Sequence, residues 1–248
     1  MQRAHTHRSG TLAGHRYTVK VMIAAVIFDI DGTLVDSVDA HAKAWVAGFS
    51  DLGIEVDLDA VRLQIGKGAD QLLPVFLNPD AVKRLGEAIN ARQSKIFREA
   101  FLPQVRAFAG VRPLFERLRS DGVKCVLASS GKPADVDTNR KLAGIDGLVD
   151  AVATSEDVDQ SKPSPDIVRA ALQRIAPTPA DSCLFVGDTP YDAEAALRSG
   201  VATIGVTGGA FDAGALQAAG CKVVYRDIED LLQHYERWVQ APEQGPLA

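Results

Sequence analysis

At 248 residues the chain can bury a substantial core in one α/β domain carrying an insert. Its 46% hydrophobic and 24% charged residues are ordinary for a globular protein that folds in water, and no apolar run is long enough to span a membrane. A net charge of -5, without a basic stripe interleaved with aromatics, gives no general attraction to nucleic acid.

Residues 1–21 are basic, contain no acid and lack the apolar core of a secretory signal. They read as a disordered extension ahead of Met22, which leaves a cytoplasmic protein as the expectation. Cys125, Cys183 and Cys221 form no C-x-x-C pair, and two of them fall in apolar runs, so they read as small core residues in a reducing compartment.

From Met22 the pattern sharpens. Residues 22–28 (MIAAVIF) form a continuous apolar run of strand length that stops at Asp29, as a parallel strand buried on both faces does. Comparable runs cover 123–128, 148–153, 182–186 and 201–206, and 222–225 reads as an edge strand. Helical patterns over 111–120, 134–142, 165–175, 191–199 and 213–218 fall between them. Several end at a glycine suited to a left-handed C-cap: Gly122, Gly144, Gly200 and Gly220. Strands alternating with helices predict a doubly wound parallel sheet.

The stretch from 37 to 108 breaks the alternation. It holds no convincing strand and reads as helices over 38–52, 59–65, 69–76 and 79–101. Such an insert after the first strand of an open sheet suits a lid. The expected division is therefore a core of 22–36 and 109–248 with a helical cap of 37–108.

Ligands of doubly wound sheets bind beyond the C-terminal ends of the strands, and four of the runs lead there to polar residues of particular kinds. Asp29-Ile30-Asp31-Gly32-Thr33 places two acids on one side of a strand end. Carboxylates this close repel unless a proton or a hard cation such as Mg²⁺ lies between them, and Gly32 permits a sharp turn whose amide can approach a phosphate oxygen. Ser129-Ser130-Gly131-Lys132 offers hydroxyls and backbone amides at a strand-to-helix junction, which makes a phosphate cradle or simply a turn. Ser161-Lys162-Pro163 holds one lysine between fixed backbone, fit to pair with a carboxylate and a phosphate oxygen or merely to meet solvent. Gly187-Asp188-Thr189-Pro190-Tyr191-Asp192 repeats the acid-after-strand pattern. On local grounds Asp188 fits an N-cap and Asp192 a first-turn anion.

In this order along one α/β chain, the four segments resemble the signature motifs of the haloacid-dehalogenase-like hydrolases, and the insert looks like that family's helical cap. The resemblance runs from Met22 to about Gly220 and leans toward phosphoglycolate-phosphatase-like members. It implies that Asp29 is the nucleophile and forms an aspartyl-phosphate. It implies that Asp31 is the general acid and then the base, that Ser129 holds a phosphate oxygen and that Lys162 balances charge. Mg²⁺ would be held by the Asp29 carboxylate, the Asp31 backbone carbonyl and Asp188, with Asp192 completing or orienting the shell. Gly32, Thr33, Ser130, Gly131 and Lys132 would meet the substrate. From the cap, His41 would do so too, and so would Lys67, lying between two glycines and available to a second anionic group. The implied substrate is a small phosphomonoester, phosphoglycolate-like or a sugar phosphate, with no nucleic-acid or membrane partner, in a monomer or a homodimer. Asp31 argues against dehalogenase and phosphonate-cleaving members. A β-phosphoglucomutase-like mutase stays open through His41-Ala42-Lys43-Ala44-Trp45 and Lys132, while Gly187 departs from the mutase pattern. A non-catalytic binding module would be free to lose these acids, and all are present.

Overall fold

A computed structural model describes residues 23–239, so the basic extension and Met22 lie outside the described residues. The first apolar run becomes β1 (Ala25–Phe28), buried at every position. After the turn carrying Asp29 and Asp31, β2 (Val35–Asp36) pairs antiparallel with β3 (Arg106–Ala107). This corrects the reading of 37–108 as strand-free, because β3 lies inside that stretch. Two residues are too few for hydrophobic alternation to report a strand. The ribbon ties the chain's exit into the insert to its return.

Between the two ribbon strands run α1 (Val38–Ser50), α2 (Leu58–Arg62), α3 (Ala69–Phe76) and α4 (Pro79–Ile96). Asp57 and Asn78 cap α2 and α4 through their side chains, and Pro79 opens α4 at a position where its missing N–H costs nothing. The pattern reads helix to 101, but α4 gives way to a wider π turn at Phe97–Phe101 and then to a 3₁₀ turn at Leu102–Gln104. Pro103 accounts for the change: it lacks an N–H, and its ring crowds the carbonyl four residues back. Trp45, Phe49, Val61, Leu72 and Ile89 give these helices an apolar cluster of their own.

The remaining elements alternate: α5 (Val111–Ser120), β4 (Lys124–Ala128), α6 (Pro133–Leu142), β5 (Ala151–Ala153), α7 (Asp166–Arg174), β6 (Cys183–Gly187), α8 (Pro190–Leu197), β7 (Ala202–Val206), α9 (Ala213–Ala218) and β8 (Val223–Tyr225). Two short helices, α10 (Ile228–Gln233) and α11 (Tyr235–Val239), close the described chain. The four glycines expected at helix ends all take positive φ. The three cysteines are free and buried. No helix among the described residues is long and apolar enough to cross a membrane.

The six strands β5-β4-β1-β6-β7-β8 form one sheet in which every pairing is parallel. Alternate residues of β1 feed opposite faces. Val26 and Phe28 pack with Phe115, Leu118 and Trp238, while Ala25 and Ile27 pack with Ile167, Val168 and Phe185. Helices therefore cover both faces, the doubly wound α/β fold that the alternation predicts. Phe28 stands in register with Leu127 of β4 and Val186 of β6. The residues just beyond the three central strands, Asp29, Ser129 and Asp188, consequently emerge at one edge. From β1 the chain goes first to β4 on one side and later to β6 on the other, so this edge is also the switch point of the topology.

Candidate active site

Asp29, Asp188 and Asp192 are buried, and one oxygen from each lies within 4.8 Å of the others. Lys162, completely buried, ion-pairs with Asp29 Oδ1 and with Asp192 Oδ1 at 2.8 Å. Three carboxylates face one ammonium in low dielectric, which leaves the cluster with more acid than base. Burial accordingly pushes Asp29 up to about 7. The Lys162 ammonium opposes the shift, and the charges of Asp192 and Asp31 add to it. Asp188 is also raised, by burial and then by Asp29 and Asp192. Burial disfavours the Lys162 ammonium, but Asp192 and Asp29 outweigh it and hold its proton more tightly than usual.

The chain builds this cluster from local devices. Thr189 caps α8: its Oγ1 accepts from the Asp192 N–H, while its own N–H and hydroxyl donate to Asp192 Oδ2. Asp192 thus spends one oxygen on the capping box and turns the other to Lys162. Thr33 is fully buried behind the cluster and donates to Asp188 Oδ1 at 2.9 Å. Gly32, at φ 83°, carries the backbone across the same carboxylate, and a Cβ on either Gly32 or Gly209 would overlap Asp188 Oδ2. The Oδ2 atoms of Asp29 and Asp188 are buried without a hydrogen-bond partner. Two orphaned carboxylate oxygens in an all-oxygen, net-negative cradle fit a hard divalent cation.

Asp31 points elsewhere. Its Oδ1 accepts from Ser37 Oγ at 2.6 Å and from His41 Nε2 at 3.2 Å. On the far side of the ring, Gln93 Nε2 stands 3.3 Å from His41 Nδ1. The ring thus bridges the Asp31 carboxylate through Nε2 and the Gln93 side chain through Nδ1. Phe97 stacks on the imidazole at 3.7 Å between centroids and 8° between planes. Burial works against ionisation of Asp31, but His41 and Ser37 outweigh it and hold the carboxyl below the usual range.

Above Asp29 lies a cavity of about 340 Å³. Of the candidates read from the sequence, Asp29, Asp31, His41, Lys67, Ser129, Ser130, Gly131 and Lys132 line it; Gly32, Thr33, Lys162, Asp188 and Asp192 do not. Ser129 Oγ accepts from the Gly131 N–H at 3.0 Å, which leaves its own proton to donate. Ser130 Oγ donates to Gly66 O at 3.1 Å and so joins the core to the insert. Lys67 Nζ donates to Gln64 Oε1 at 2.7 Å and lies 4.4 Å from the Tyr191 ring centroid; burial lowers its proton affinity. The sequence reading did not reach Gln93, Asn139 or Asp70, which also line the cavity. A signal for Gln93 was present: Asn90, Gln93, Ser94 and Phe97 recur at i, i+3, i+4 and i+7, a stripe of α4 that runs on into the π turn.

The chain is similar to known proteins. Residues 26–206 match the family model described as haloacid dehalogenase-like hydrolase. A protein of Dickeya dadantii named probable phosphatase IndB is 32% identical over 214 residues, covering 84% of this chain and 91% of that protein. The phosphoglycolate phosphatase of Pseudomonas putida is 30% identical over 213 residues, 84% of this chain and 78% of that protein. The crystal structure of a hydrolase from Pseudomonas syringae superposes with a TM-score of 0.77 at 30% identity, over 87% of this chain and 99% of that one. The chain belongs to the haloacid dehalogenase-like hydrolase family.

Proposed function

We propose that the protein is a magnesium-dependent phosphatase that hydrolyses a small phosphomonoester through an aspartyl-phosphate on Asp29. The observation that carries this reading is Asp29 itself: it lines the cavity, its Oδ2 is buried without a partner, and one of its oxygens lies within 4.8 Å of oxygens of Asp188 and Asp192. The relatives named phosphatases support it. Residues 22–36 and 109–248 serve as the catalytic core and 37–108 as the cap.

Asp29, Asp188 and the Asp31 backbone carbonyl would hold Mg²⁺, with Asp192 orienting the shell; the bound ion would offset the excess negative charge and draw electron density from the phosphoryl group. An Asp29 carboxylate oxygen attacks phosphorus, and the bond from phosphorus to the leaving oxygen breaks. Asp31, which must first take up a proton as the anionic phosphoryl group closes on it, gives that oxygen the proton, then takes one from the water that releases phosphate and restores Asp29. The Ser129 hydroxyl and the Lys162 ammonium balance the charge on the transferring oxygens. His41, Ser37 and Gln93 hold the Asp31 carboxyl in place for both transfers. Asn139 is buried along the cavity with its Oδ1 unpaired, so a hydroxylated organic portion, as in a sugar phosphate, complements the site better than a bare acid does.

A panel of phosphomonoesters assayed with Mg²⁺ and with EDTA tests the reading. Phosphate release in Mg²⁺ and none in EDTA is expected; undiminished release after thorough metal removal sinks the metal role. Conversion of a sugar phosphate to its isomer without phosphate release would replace hydrolysis by the mutase reaction.

Asp31→Asn separates the two roles of that residue. Turnover of alkyl phosphates should fall by roughly 10²- to 10⁴-fold, the range for a lost general acid, while p-nitrophenyl phosphate, whose leaving group needs little protonation, loses much less in the first step. Burst kinetics then place its remaining defect in hydrolysis of the intermediate. Equal first-step losses for all leaving groups would refute the assignment.

A further inference from the structure

The insert touches the catalytic core at the residue before Lys162. Ser161 donates its backbone N–H to Asp70 Oδ2 at 3.0 Å and its hydroxyl to Asp70 Oδ1 at 2.6 Å, and the same hydroxyl accepts from the Gly68 N–H at 2.8 Å. Asp70 sits in the first turn of α3. The approach is tight: a Cβ on Gly68 would stand 2.7 Å from both Ser161 Oγ and Asp70 Oδ1. Ser161 is 5% exposed, so a withdrawn carboxylate would leave an inward N–H and hydroxyl without partners. The next residue, Lys162, is the ammonium between Asp29 and Asp192.

We propose that Asp70 is a positioning residue: its two-oxygen grip on Ser161 fixes the backbone that aims Lys162, so the lysine is fully placed only while the 66–70 loop of the insert is docked. The inference rests on the phosphatase reading of Lys162 as the charge partner of Asp29 and the phosphoryl group. Asp70 need not touch substrate to do this. A carboxylate is suited to the task because it accepts both donors at once, with charge-assisted bonds that a neutral side chain makes more weakly. A lysine displaced by a fraction of an ångström loses most of its value to a transition state whose stabilisation depends on position.

The experiment uses the full chain with Mg²⁺ and p-nitrophenyl phosphate, which carries no second group for the insert to recognise. Asp70→Ala and Ser161→Ala should each lower kcat about tenfold, the effect of losing charge-assisted hydrogen bonds, with KM changed less than about threefold. Both remove the bond from the Ser161 hydroxyl to Asp70, while Ser161→Ala keeps the backbone N–H bond to that carboxylate, so the double variant should fall about as far as Asp70→Ala alone and well short of about a hundredfold. Asp70→Asn, which keeps the shape and one acceptor oxygen, should recover to within about threefold of wild type. Hydrogen exchange followed by mass spectrometry gives the readout that a general loss of fold would not: the peptide containing Ser161 should lose protection in Asp70→Ala and regain it in Asp70→Asn, while peptides of β4 and β6 stay protected. An active wild type with unchanged kcat in Asp70→Ala, multiplying losses in the double variant, or unaltered exchange at Ser161 would each overturn the inference and leave the phosphatase reading standing. A wild type inactive on every phosphomonoester would defeat that reading and this inference with it.

Discussion

Asp29→Asn is expected to lower turnover of any phosphomonoester by roughly 10⁴-fold or more, with no loss of the fold. The amide has nearly the shape of the carboxylate, so the packing of β1 against β4 and β6 is undisturbed. What vanishes is the nucleophile: an amide oxygen does not form a stable bond to phosphorus that water later breaks. Asp29 is one of three acids around Lys162, and its carboxyl is driven up to about 7 chiefly by burial. Removing its charge leaves Lys162 paired with Asp192 at 2.8 Å, so the ammonium is not stranded. A general collapse of the site would lower both kcat and thermal stability. The expected result is a midpoint equal to or above that of wild type in EDTA, beside a near-total loss of kcat in Mg²⁺. A variant that kept turnover within tenfold of wild type would remove Asp29 from the role of nucleophile.

What the sequence made legible follows from where the physics is local. The parallel strands are buried on both faces, so they are written as unbroken apolar runs, and Asp29 and Asp188 are conspicuous because each ends such a run. The β2–β3 ribbon was invisible because a two-residue strand has no period. The π turn after Ile96 could have been suspected from Pro103, but the preference of 79–101 for helix masked it. The hydroxyl of Thr33 donates to Asp188 Oδ1, a pairing across 155 residues of chain that the spacing of residues in a motif does not reveal. Asp192 was read as a first-turn anion; one of its oxygens closes the capping box there, and the other meets Lys162, a pairing that spacing along the chain does not announce. Gln93 and Asp70 were the hardest to find, because their partners His41 and Ser161 lie 52 and 91 residues away in the chain. An amide on a helix face and an acid in a first turn both have ordinary explanations, and only the docking of α4 beside α1, and of the 66–70 loop on the core, supplies the other half of each pair.

Asp188→Asn should make the metal-free protein more stable and the metal-loaded protein less so. In the absence of a cation, Asp188 is fully buried, its Oδ2 has no partner, and burial together with Asp29 and Asp192 drives its carboxyl well above the ordinary range. Its one hydrogen bond, from Thr33, survives in asparagine, whose Oδ1 accepts equally well. Removing a penalised buried charge is worth on the order of 1 kcal/mol, or about 2–4 °C in Tm for a domain of this size. Added Mg²⁺ reverses the order. Wild type gains about 2.7 kcal/mol when the ion is at a hundred times its Kd, because binding to the folded state alone draws the equilibrium toward it. The variant has lost one anionic oxygen ligand and much of the negative charge that would hold a hard cation, so its midpoint should barely move. Two thermal-denaturation series, in EDTA and across rising Mg²⁺, should therefore cross, with the variant above wild type at zero metal and below it at saturation. The readout needs no turnover, which separates the metal site from the chemistry assigned to Asp29. A wild-type midpoint indifferent to Mg²⁺, or a variant that responds to the ion as strongly as wild type, would show that Asp188 does not hold the metal.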